Sequence, residues 1–93
     1  MSLMEPGITP PAGRLQTRVL VDELAKAVRD SRLEYERLRE KHLAQLSTAV
    51  TTGLDTMEGR LAMSQANATG IEELRAFTRY EEAVRRFAKL LLE

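Results

Sequence analysis

His42 is the only histidine among the 93 residues. An imidazole is the side chain best suited to ligate a metal or to move a proton near neutral pH. A metal site on a helix needs a second ligand three or four residues away. Leu38, Arg39, Gln45 and Leu46 stand there, and none of them completes a site. Ser47, one turn on, would need an orienting acid to serve as a nucleophile. His42 therefore reads as a polar residue in or beside a helix seam. Its further expected role is a mild pH sensitivity of association, should two copies of it meet.

Two acidic doublets, Glu72-Glu73 and Glu81-Glu82, suggest acid–base work. Neighbours on a helix point about 100° apart, so neither doublet converges on one site. Glu72 and Glu73 also suit the first turn of a helix, where negative charge complements the dipole. The basic residues Arg29, Arg32, Arg37, Arg39 and Lys41 would make a phosphate-binding strip. Asp30, Glu34, Glu36 and Glu40 interrupt it. Residues 14–46 carry eight positive side chains against six negative ones. Met57 and Met63, near Leu54 and Leu61, would form either a soft groove or core filling. Glycines are isolated, so a phosphate-cradling loop is not expected. Neither catalytic residues, nor a metal, nor a cofactor is expected from these patterns.

The elements that carry these residues are legible in the apolar spacing. Lys plus Arg equals Asp plus Glu at 14 each, and cysteine is absent. That excludes a disulfide framework and a thiolate site, and it removes the net field that steers a chain onto nucleic acid or an anionic membrane. No apolar run reaches the roughly 18–20 residues of a bilayer span. Strand-like alternation is nearly absent, so the expected class is all-α. Residues 1–13 hold all three prolines and read as a flexible arm. Met1-Ser2-Leu3, ahead of Met4, reads as an addition to a natural start. Thr9 would cap an early helix, but Gly13 favours a start near Leu15.

Residues 14–93 form the expected single helical domain. Its first helix is expected over about 15–51, with continuation to residue 66 as the alternative. With Val21 at heptad position a, positions a and d hold Val21, Leu24, Val28, Ser31, Tyr35, Leu38, His42, Gln45 and Ala49. Opposite charges at helical spacing, Asp22 with Lys26, Arg32 with Glu36 and Glu34 with Arg37, mark a solvated outer face. Thr51-Thr52-Gly53 weakens the helix, with Thr52 and Asp55 able to cap a new one. Asn67-Ala68-Thr69-Gly70 is the stronger break, because Thr69 and Glu72 form a capping box ahead of Ile71. The turn is therefore expected at 67–70.

The last helix, about 70–92, would fold back as an antiparallel hairpin on the segment before that turn. The expected hairpin core is Leu46, Val50, Leu54, Met57, Leu61, Ile71, Leu74, Phe77, Tyr80, Val84, Phe87 and Leu91. That arrangement leaves Val21, Leu24, Val28, Tyr35 and Leu38 uncovered, as an interaction seam for a second copy in a dimeric, coiled-coil-like helical bundle.

The expected function is a non-catalytic helical protein–protein interaction or oligomerisation module in the cytoplasm. Its partners would be its own copy or another helical protein, not nucleic acid or membrane. One alternative is a small all-helical enzyme or regulator that holds an anionic ligand through Arg and Lys. Another is a subunit or chaperone of a secretion or phage assembly.

Overall fold

In the computed structural model, residues 10–92 are described along the backbone and Thr17–Leu92 also in their side chains. Two helices make up the fold: α1, Pro10–Thr52, and α2, Met57–Leu92. They pack side by side and antiparallel, because partners on the two helices run in opposite directions: His42 meets Gly70 and Glu73, and Tyr35 meets Phe77. The described residues thus form an all-helical hairpin, a long thin rod. The described residues contain no strand.

Helix α1 begins five residues before Leu15. Prolines suit the first turn of a helix, where the missing amide proton has no intrahelical acceptor and φ is already set. Pro10 and Pro11 occupy that turn. The remainder of the arm expected over 1–13, residues 1–9, lies outside the described residues, as does Glu93.

The turn lies at 53–56, not at 67–70. Gly53 takes φ of +102°, a left-handed conformation that glycine adopts without a Cβ penalty. Its amide donates to the Ala49 carbonyl at 3.0 Å, which ends α1 in the single-bond left-handed cap. Thr56 then caps α2. Its hydroxyl accepts from the Gly59 amide at 3.0 Å and donates to the Gly53 carbonyl at 2.8 Å. The Thr56 amide donates to the same carbonyl at 3.1 Å. The cap is Thr56, so the expected Thr52–Asp55 cap is not the one used.

These local devices can be checked by substitution. Gly53→Ala forces an L side chain into the left-handed region at about 1–2 kcal/mol, and Thr56→Ala removes an N-cap worth about 1 kcal/mol. Both variants should melt earlier than the parent at equal protein concentration. A Thr56→Ala variant with an unchanged midpoint would show that the cap contributes nothing.

Through residues 67–70 the helix runs on. The expected capping box does not operate there, since Thr69 is 3% exposed and faces inward. Packing of this small-residue stretch against α1 outweighs the weak helix propensity of Asn, Thr and Gly.

Candidate functional site

The seam of α2 is built from small residues. Gly59, Ala62, Ala66, Thr69, Ala76 and Ala83 are buried, and Met63, Gly70, Glu73, Tyr80, Phe87 and Leu90 are half-buried. With Gly59 at a, the series Gly59, Ala62, Ala66, Thr69, Glu73, Ala76, Tyr80, Ala83, Phe87, Leu90 alternates steps of three and four, as two packed helices require.

On α1, the a and d residues turn toward this seam. Leu38 is 3% exposed and Ala49 fully buried; Val21, Leu24, Val28 and Tyr35 are half-buried. The residues expected to await a second copy are therefore occupied within the chain. The reason is the position of the turn: moved to Gly53, it makes α2 long enough to cover the whole of α1 from Val21 onward.

The expected hairpin core is largely outside. Val50, Leu54, Met57, Leu61, Ile71, Leu74, Phe77, Val84 and Leu91 are exposed, while Leu46, Tyr80 and Phe87 are half-buried. Bulk was the wrong criterion for α2. Its alanines and glycines let the helices approach, and the large side chains of α1 fill the interface.

At the middle of the seam sits the only polar pair between the helices among the described side chains. His42 Nδ1 lies 2.7 Å from Glu73 Oε1, each side chain about one quarter to one fifth exposed. The Nδ1–H tautomer donates to the carboxylate. The Cε1 side of the ring faces Gly70, where a Cβ would begin 3.1 Å from Cε1 and 3.2 Å from Nε2. Gly70 is thus a notch that admits the imidazole.

The sequence alone puts Glu73 in a first helical turn and offers His42 no partner within a helical turn, because the partner is 31 residues away. The register of the hairpin would have supplied it. One turn from His42, Gln45 Oε1 is buried without a hydrogen-bond partner. The described residues assemble no cluster of three metal-ligating side chains.

The two flanks of the seam differ in chemistry. In heptad terms, positions g and c line one flank of each helix, and e and b the other. On the g and c flank, Glu34 holds Arg37 at 2.8 Å. The hydrogen bond from Arg37 is the main cause that keeps the Glu34 carboxyl below its ordinary value. Desolvation opposes that shift, and the charges of Arg37 and of Arg79 on the other helix add to it. The Arg37 guanidinium is raised chiefly by the same bond. A shallow cavity of about 270 Å³ opens on this flank between Ser31 on α1 and Arg79, Glu82 and Arg86 on α2.

On the e and b flank Arg32 pairs with Glu36 as expected, at 3.3 Å. Lys26 reaches forward to Asp30 at 2.6 Å rather than back to Asp22. Every described Arg and Lys is exposed, so no buried basic cluster forms to clamp an anion.

The e and b flank holds six exposed apolar side chains beside charged residues that include Arg32, Glu36 and Arg39. It carries Leu43 and Val50 from α1, and Leu74, Phe77, Val84 and Leu91 from α2, all exposed. Phe77 stacks at a tilt on Tyr35, ring centroids 5.2 Å apart, and so ties this flank to the seam.

No described helix is long and apolar enough to cross a membrane. Comparison with protein-family models, with curated proteins and with solved structures finds no match to the chain.

Proposed function

We propose that this chain is a helical interaction module that works by presenting helix faces to other helices, its own copies foremost. One observation carries the reading: the fully buried residues of α2 are alanine and glycine with one threonine, while fourteen large apolar side chains among the described residues remain exposed. A single hairpin does not supply the core that a chain of this size needs, and association with further helices is the ordinary way to complete one. Six of the exposed side chains, Leu43, Val50, Leu74, Phe77, Val84 and Leu91, fall on one flank of the two helices, and exposed apolar residues grouped in this way mark an interaction site. The His42–Glu73 pair serves this role as a polar link that fixes how the two helices meet, with its ring edge against Gly70 rather than against an open cavity.

Mass in solution tests the proposal. Light scattering behind size exclusion, over a hundredfold dilution, should give a dimer or higher multiple of the 10.5 kDa chain. Helicity should fall as dilution dissociates it. A monomer that keeps full helicity at every concentration would refute self-association and leave only a different helical protein as the partner.

A further inference from the structure

We propose that the e and b flank, with its exposed apolar side chains, is the surface on which a second copy of this chain docks, giving a four-helix assembly with the more heavily charged g and c flanks outward. The inference rests on the module reading and names the face and the partner. Three observations choose them.

The first is that the exposed apolar residues of this flank occupy its whole length. Leu43 and Val50 lie toward the turn, Leu74 and Phe77 near the middle, Val84 and Leu91 toward the open end. A face as long as α2, about 54 Å, and two helices wide, about 20 Å, spans on the order of 1,000 Å². A stable interface needs roughly 800 Å² from each partner. A compact globular partner would cover only part of such a strip, whereas a second hairpin matches it in length.

The second observation is that this flank carries charges of both signs, Arg32 and Arg39 with Glu36 and Glu81. A mixed surface can oppose itself across a two-fold axis without stacking like charges. The third is that each copy has the same deficit of buried apolar surface, and one isologous contact relieves both. The opposite flank offers no comparable reason: among the described large apolar residues that are exposed, only Leu20 and Leu61 lie on it.

Two paired variants test the proposal. Leu43→Asp/Leu74→Asp puts charge on the docking flank, between its middle and the turn. These side chains are 54% and 70% exposed in the single hairpin, so the hairpin itself does not depend on them. Leu33→Asp/Ile71→Asp puts the same charge on equally exposed residues, at 63% and 57%, that point away from both flanks.

Sedimentation equilibrium should show the first pair raising the dimer dissociation constant by roughly 30-fold or more, the size of a buried interface anchor. The second pair should leave it within about threefold of the parent, as surface substitutions away from special features do. Loss of helicity in the first pair alone counts for the proposal, because only the removal of a partner affects side chains that are already exposed. If the second pair dissociates the assembly and the first does not, the face is wrong and the module reading stands. If the parent is a fully helical monomer throughout, the docking of a second copy is refuted, and the module reading is left with a different helical protein as its partner.

Discussion

Gly59→Ala is expected to destabilise the hairpin by about 3 kcal/mol, lowering the melting temperature by on the order of 15 °C. In an exposed helix the same substitution gains up to about 1 kcal/mol, because alanine is the better helix former. The sign reverses here because the turn lies across the glycine. A Cβ at residue 59 would begin 1.9 Å from the Gly53 carbonyl oxygen and 2.6 Å from its carbon. Those atoms are backbone, so no rotamer change makes room. The same carbonyl accepts both the amide and the hydroxyl of Thr56, and moving it dismantles the cap of α2 with the end of α1. Thermal and urea unfolding, at one protein concentration, measure the effect. A variant as stable as the parent would mean that the Gly53 carbonyl is not held over Gly59.

The second large effect is expected at the notch. Gly70→Leu should cost about 2–3 kcal/mol, since the new side chain occupies the space of the His42 ring and breaks its bond to Glu73. Alanine alone is a weaker probe: its Cβ would stand 3.1 Å from the tip of a side chain that has some freedom to shift. His42→Ala should cost about 1–2 kcal/mol, through the lost hydrogen bond and the cavity left at the notch. In the double variant leucine fills that cavity. The two changes together should therefore be milder than their sum by at least about 1 kcal/mol. Strict additivity would show that His42 does not sit in the Gly70 notch.

The sequence made the helical class and the α1 seam readable, because nine residues from Val21 to Ala49 keep heptad spacing and most are large enough to show it. Their counterpart on α2 was not readable in the same way. Gly59, Ala62, Ala66, Ala76 and Ala83 carry little hydrophobic signal, while Ile71, Leu74 and Val84 carry a strong one and lie outside the seam. A stripe selected by hydrophobicity thus picked the face with the most apolar bulk, which in a lone hairpin is not the face it buries.

The turn is hidden for a related reason. Asn67-Ala68-Thr69-Gly70 has the composition of a helix end, yet Thr69 and Gly70 are small because α1 and the His42 ring press against them. Local sequence does not distinguish a glycine that ends a helix from one that makes space for a partner 28 residues away. At Gly53 both neighbouring signals were present, but Thr56, not Thr52, is the residue whose hydroxyl reaches an amide at the head of α2. The His42–Glu73 pair was invisible for want of the register, which only the true turn supplies.

The single short turn also sets how the rod can assemble in time. Partners beside Gly53 and Gly59 are a few residues apart along the chain, His42 and Gly70 are 28 apart, and the residues around Val21 meet partners some seventy positions away. Closing the longest of these loops first would cost the most chain entropy for the least contact. A route that starts at the glycine turn and advances toward the open end adds each contact across a gap already shortened by the one before it. On that route the His42–Gly70 notch engages about midway, and it acts as a checkpoint: a pair of helices joined out of step cannot seat the ring, and alanine surfaces that would otherwise slide past one another are stopped at one alignment.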